Sequence, residues 1–170
     1  MARVFFSLGS NLGDTQSHLR YAIECLAREV GPIVRVSSLY RTAPQGVADQ
    51  PDYLNAVVEC ETSLRPEEVL ERSLSIEASR GRTRERSGSP RTLDIDVLLY
   101  DDLHIETDAL CIPHPRMEQR SFVLTPLAEI EPDLVLPSGA SVTALLGTPD
   151  IGAQRVERLA EPTASIHPTY

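Results

Sequence analysis

The chain has 170 residues, 41% hydrophobic and 24% charged, with a formal net charge of -9; this suits one globular domain large enough to bury a core. No run approaches the ~18 apolar residues that span a bilayer, and the apolar stretch near Met1 is too short for a signal peptide, so no membrane partner is expected. The negative charge argues against general nucleic-acid binding. Cys25, Cys60 and Cys111 fit neither a disulfide framework nor a CxxC metal pattern, which makes a cytoplasmic location the simplest expectation. All sixteen basic residues are arginines, and the missing lysine excludes a Walker-type phosphate loop and Schiff-base chemistry.

Residues 3–8 read as a short apolar strand, followed by the turn GSNLGD. Asp14 or Thr15 can cap a helix whose apolar face is Leu19, Ala22, Ile23, Leu26, Ala27 and Val30, ended by Gly31-Pro32. A second strand is expected over 33–41, then a Pro/Gly-bearing loop, then a third strand over 53–62. Pro66 with Glu67 and Glu68 behind it opens a second helix that stops near Gly81, with Val69, Leu70, Leu74 and Ile76 on its apolar face. Residues 80–91 contain no apolar side chain and read as a solvated loop. A strand over 93–100 follows, with a turn at Asp101-Asp102 into a short returning strand at 103–106. Residues 121–130 are helical in part, with Pro126 limiting where, and 142–146 form a short helix. The tail after Pro149 lacks periodicity and is expected to pack poorly. The order β-α-β-β-α-β predicts a ferredoxin-like α+β fold, an antiparallel sheet with helices packed against it. Fold alone does not assign function.

The sharpest chemical feature is Arg91-Thr92-Leu93-Asp94-Ile95-Asp96. Side chains two apart on a strand point the same way, so Asp94 and Asp96 share one face, with Leu93, Ile95, Val97 and Leu99 on the other. Two carboxylates ~7 Å apart along a strand can converge on cations between them. Oxygen donors without a nearby histidine or thiolate suit magnesium, which commonly combines one or two carboxylates with substrate phosphates. A DxD on its own is more often a pair of solvent-facing aspartates. Here Arg80, Arg82, Arg84, Arg86 and Arg91 crowd against it, and guanidinium forks match phosphate oxygens. Such a charge run is usually just a solvated segment. Gly81, Gly88 and Pro90 point instead to a loop able to close over a substrate.

Two further groups stand out. Prolines 113 and 115 hold His114 in an extended presentation beside Arg116, Arg120 and Phe122, although a histidine between prolines is more often structural. Tyr53 and Asn55 share a strand face, where an aromatic ring can stack on a flat heterocycle and an amide can pair with its edge. His18 and His104 read as surface residues, and His167 falls in the tail.

In this order, GSNLGD, YRTAPQG, DQPDYLNAVV, PRTLDIDVLLY, IPHPRM and RSFVLTPLAEI resemble the 6-hydroxymethyl-7,8-dihydropterin pyrophosphokinase family over roughly residues 3–146. The resemblance implies a magnesium-dependent diphosphotransferase that passes pyrophosphate from ATP to 6-hydroxymethyl-7,8-dihydropterin. AMP and the pterin pyrophosphate of folate biosynthesis are the products. It implies two magnesium ions on Asp94 and Asp96, and nucleotide or phosphate contacts from Glu77, Arg82, Arg84, Arg91, His114 and Arg120. Arg82 and Arg91 are implied in catalysis with the two aspartates. Thr42, Pro44, Tyr53, Asn55 and Phe122 match the pterin pocket, with Tyr53 and Phe122 on either side of the ring. Residues 9–14, 43–52 and 81–91 are implied as the loops that close the site. The catalytic domain is expected over 1–148, with a poorly ordered extension over 149–170, as a monomer whose partners are its small-molecule substrates.

The family often carries a tryptophan just before the Pro90-Arg91 run. This chain has none, and its segment reads one residue short. Leu74 occupies a position that is polar in some relatives. Competing readings are a different Mg-ATP phosphotransferase and a ferredoxin-like RNA-binding module, the latter expected to show sheet aromatics and a basic face. Neither feature is present outside the arginine loop.

Overall fold

The computed structural model describes residues 1–44, 50–81 and 92–159. Strand β1 (Ala2–Ser10) leads into helix α1 (Thr15–Glu29), and the Asp14 side chain accepts from Ser17 N at 3.1 Å as its N-cap. Strands β2 (Ile33–Val36), β3 (Tyr40–Thr42) and β4 (Tyr53–Thr62) precede helix α2 (Pro66–Ser79). Strand β5 (Asp94–Tyr100) follows, then a small ribbon of β6 (Ile105–Glu106) and β7 (Cys111–Ile112). Helices α3 (Ser121–Ile130), α4 (Val142–Leu146) and α5 (Pro149–Gly152) and strand β8 (Val156–Arg158) complete the described chain.

The main sheet runs β5-β1-β4-β3-β8, with β2 also paired to β4. Its central pairs are antiparallel, from Ala2↔Thr62 to Ser10↔Leu54 and from Val4↔Tyr100 to Gly9↔Asp94. This is the ferredoxin-like order, in which each helix crosses back to a strand antiparallel to its neighbour. Strand β1 is buried on both faces, so its run of apolar residues serves two cores. Val4, Phe6 and Leu8 join Leu19, Ile23 and Leu26 of α1 and Val69 and Ile76 of α2. Phe5 joins Leu98, Leu124, Leu127, Val142 and Ile151 on the opposite face. The close approach of α1 to β4 needs a glycine: a Cβ on Gly31 would lie 1.9 Å from the Glu61 carbonyl oxygen.

Five expectations are corrected. The strand expected over 33–41 is two strands. Between them, Ser37 N still donates to the Val57 carbonyl, but buried Ser37 takes Val57 N on its Oγ at 2.9 Å and Ser38 N donates to both Glu129 oxygens, so side chains take over part of the ladder there. Leu99 does not share a face with Leu93, Ile95 and Val97. A bulge opposite Phe5/Phe6 places Leu98 and Leu99 together in the second core, because an extra residue resets the two-residue alternation. The segment after the Asp101-Asp102 turn pairs with Cys111-Ile112 rather than returning along β5. Residues 149–158 are not a loose tail: Ile151 is buried and β8 pairs with β3. Pro126 lies inside a continuous α3.

On the sheet's far side, Glu59 is 3% exposed and is held by Arg3 and Arg35, which also grip Glu131. A carboxylate this buried needs such partners, because an unpaired buried charge is strongly destabilising.

Candidate active site

One row across the sheet sets the site. Gly9 of β1 stands opposite Asp94 of β5 on one side and Asn55 of β4 on the other, and Asn55 in turn stands opposite Tyr40 of β3. Asp96 stands opposite Ser7. Register partners share a face, so both carboxylates and the Asn55 amide look toward the α3 side. A cleft of about 660 Å³ opens there and wraps around β5, an edge strand.

At one end Thr42, Tyr53, Asn55 and Phe122 line it; at the other, Leu70, Leu74, Ala109, Leu110 and Cys111; Asp94, Asp96, His114, Arg116 and Arg120 lie between. Asn55 is 3% exposed and donates from Nδ2 to Thr42 Oγ1 at 2.6 Å, which fixes which way the amide faces. Gly9 leaves the space in front of it: a Cβ there would sit 3.1 Å from Asn55 Oδ1 and 3.6 Å from Tyr53 Cδ1. Asn11, also buried, donates to Gln50 Oε1 and the Pro51 carbonyl at 3.2 Å each. Those bonds tie the turn after β1 to the segment that enters β4.

His114 is anchored by its backbone N–H donating to the Leu98 carbonyl at 2.9 Å. Its Nδ1 accepts from Arg116 N at 3.2 Å, so the neutral ring carries its proton on Nε2. That Nε2 lies 4.0 Å from Asp96 Oδ2. Burial, then the nearby Arg120 charge, holds the imidazole below its ordinary pKa, with Asp94 acting in the opposite sense. His114 therefore enters the cleft as a neutral hydrogen-bond donor. The Arg120 guanidinium lies over the Phe122 ring, 5.3 Å from its centroid.

Nine sequence-selected residues line this cleft: Thr42, Tyr53, Asn55, Glu77, Asp94, Asp96, His114, Arg120 and Phe122. Pro44 is described but stands outside the lining. Arg82, Arg84 and Arg91 lie outside the described residues. Glu77 has a role the sequence did not show: it is 4% exposed, and its Oε1 accepts from Ile95 N at 2.7 Å. It thereby bolts α2 to β5 between the two aspartates. Leu70, read only as a packing residue, and Leu74, the position polar in some relatives, line the cleft with Leu110 as an apolar wall. Gly9, from the 9–14 loop, and Arg116, from the His114 motif, line it as well, and Ser7 and Cys111 do so unforeseen.

The donor set fits magnesium in one way only. Among the described residues no group of three or more His, Cys, Asp and Glu side chains could hold a metal by itself. Two carboxylates in an open cleft suit a cation that takes its remaining ligands from water and a bound phosphate.

A ferredoxin-like α+β domain, with paired carboxylates between an aromatic-amide pocket and an apolar wall, defines the class. The chain belongs to the 7,8-dihydro-6-hydroxymethylpterin-pyrophosphokinase (HPPK) family, whose model matches residues 5–132. It is 46% identical over 158 residues to a 2-amino-4-hydroxy-6-hydroxymethyldihydropteridine pyrophosphokinase of Methylorubrum extorquens, covering 92% of this chain and 100% of that one. A Bacillus subtilis protein of the same name is 49% identical over 127 residues, 74% of this chain and 76% of that one. Among solved structures, a Plasmodium falciparum HPPK-DHPS triple mutant with pteroate superimposes with a TM-score of 0.70 at 14% identity. That match covers 92% of this chain and 46% of the longer one, and it shares the fold. No helix among the described residues is long and apolar enough to cross a membrane.

Proposed function

We propose that the protein transfers pyrophosphate from ATP to 6-hydroxymethyl-7,8-dihydropterin, giving AMP and the pterin pyrophosphate for folate biosynthesis. The observation that carries this reading is one cleft joining Asn55, Tyr53 and Phe122 to Asp94 and Asp96, in a chain of this family. The pterin hydroxymethyl oxygen bonds to the β-phosphorus, and the bond from that phosphorus to the α,β-bridging oxygen breaks, leaving AMP. Such transfer depends on in-line positioning and on neutralising spread charge.

Each end of the cleft then has a task. The Asn55 amide, aimed by Thr42, reads the pterin edge, and Tyr53 and Phe122 flank its ring. Leu70, Leu74 and Leu110 offer a dry surface to the adenine. His114 donates from Nε2 and Arg120 from its guanidinium to phosphate oxygens, and Glu77 holds the start of β5 in register. Asp94 and Asp96 would hold two magnesium ions, which would screen the phosphates and acidify the attacking hydroxyl. Arg82, Arg84 and Arg91 complete the phosphate contacts. The protein acts as a cytoplasmic monomer without a nucleic-acid partner.

Product analysis with ATP, magnesium and the hydroxymethylpterin tests the reading. AMP and pterin pyrophosphate in equal amounts are expected. ADP with a pterin monophosphate, or no turnover, would overturn it.

A further inference from the structure

Helix α3 begins at Ser121, directly between two cleft residues, Arg120 and Phe122. The first N–H groups of a helix have no partner within it, and Arg120, the N-cap residue, provides no side-chain cap. The missing acceptor comes from the far end of the described chain. Gln154, two residues past α5, accepts from Ser121 N on its Oε1 at 2.9 Å and donates from Nε2 to the Gln119 carbonyl at 2.8 Å. These two bonds bracket Arg120. A primary amide can do both at once, because it carries donor and acceptor side by side.

Gln154 is itself held from both directions. Before it, Ile151 is 6% exposed and packed in the second core. After it, β8 adds to the sheet with Val156 opposite Thr42. Thr42 orients Asn55 on one wall of the cleft, and Phe122 stands on another. Residues 154–156 thus touch the backbone behind both walls.

We propose that Gln154 is a positioning residue, an amide latch that sets the backbone of Arg120 to Phe122 against the β3-β4 wall. Residues 149–158 are then part of the catalytic unit rather than an appendage to it. The functional half of this proposal rests on the reading of Arg120 and Phe122 as substrate contacts.

The test compares Gln154→Ala, Gln154→Glu and Val142→Ala with wild type. Val142 is fully buried in the same core, away from the cleft, so its truncation controls for lost stability alone. Three quantities are read well below every variant's Tm: amide exchange across 119–123, KM for the pterin, and kcat. In Gln154→Ala, exchange at Ser121 speeds up by about tenfold or more, as expected when a capped N–H is freed. Its pterin KM rises by roughly 5- to 20-fold, a loss typical of misaimed contacts. Gln154→Glu keeps an acceptor for Ser121 N, so exchange there stays near wild type, while its pterin KM rises because a carboxylate cannot donate to the Gln119 carbonyl. Val142→Ala loses Tm while its pterin KM stays within about two-fold of wild type, because uniform destabilisation does not reshape a folded site. Unchanged exchange at Ser121 in Gln154→Ala, or a KM that tracks Tm equally in all three variants, overturns the latch. A Phe122→Ala enzyme with wild-type pterin KM would sink the site reading and the functional half with it, while the exchange result still decides whether the bonds act as described.

Discussion

Replacing Gly9 with alanine tests the pterin end of the cleft with a single methyl group. Gly9 is not among the positive-φ residues, so alanine meets no backbone strain there. The new Cβ would lie 3.1 Å from Asn55 Oδ1, a few tenths of an ångström inside ordinary contact. Asn55 cannot easily retreat, because it is buried and its Nδ2 is held 2.6 Å from Thr42 Oγ1. Turning the amide off its rotamer costs about 0.5–1.5 kcal/mol, and spoiling one hydrogen bond to the pterin costs about 0.5–1.5 kcal/mol more. Their combined effect of roughly 1–3 kcal/mol is about a 5- to 150-fold loss of pterin affinity. Loss of unfolded-chain entropy on Gly→Ala works the other way for stability, by about 0.4–1 kcal/mol, so Tm should barely move. The assay is a titration of pterin fluorescence with a non-hydrolysable ATP analogue present, unobscured because the chain has no tryptophan. Affinity for the analogue itself is expected to stay within about two-fold, since the apolar wall lies at the other end of the cleft. Unchanged pterin affinity, or an equal loss for both ligands, would refute the placement of the ring before Asn55.

Asp94→Asn and Asp96→Asn should each cut kcat by at least about a hundredfold while leaving the circular dichroism spectrum and Tm near wild type, because both side chains face the cleft and neither is core; near-normal turnover in either variant at ordinary magnesium removes the two-carboxylate assignment. Hydrogen bonds from Arg35 and Arg3, opposed by partial burial, hold the Glu131 carboxyl below its usual range. A depressed folded-state pKa stabilises the fold above the unfolded value and loses that contribution as pH falls through the folded value. Glu131→Gln should therefore lower Tm by about 2–4 °C at neutral pH, with the two melting curves converging in acid; a constant offset at every pH would contradict this. Thiol labelling at pH 8 should modify Cys111 first, since Cys25 and Cys60 are buried and burial pushes the Cys60 thiol up to about 12. Because Cys111 lines the apolar end of the cleft, an ATP analogue should slow that labelling, and labelling indifferent to nucleotide would move the base elsewhere.

What the linear chain determined by itself is the set of elements with a strong local signature. Asp14 and Gly31 bound α1, Pro66 opens α2, and alternation along β5 puts Asp94 and Asp96 on one face. These are decided within a few residues, by caps, fixed φ and side-chain period. The motifs around Tyr53, Asn55, His114 and Phe122 were legible for a different reason: their combination, in order, resembles one family.

Only the tertiary structure decided what depends on partners far away in sequence. Alternation predicted Leu99 beside Val97, but the bulge against Phe5/Phe6 moves it to the other core. A strand over 33–41 was reasonable from its apolar residues, yet Glu129 caps Ser38 from 91 positions away and the ladder breaks there. The family resemblance implied a nucleotide contact for Glu77, but only the fold shows β5 closing over it and its carboxylate accepting from Ile95 N. The described part of the tail has no periodicity because it packs through isolated residues, Ile151 and Leu159, bonds through the Gln154 amide, and adds a strand of three residues to β3. Each of those contacts is a single long-range event, and a single event leaves no repeat for sequence to display.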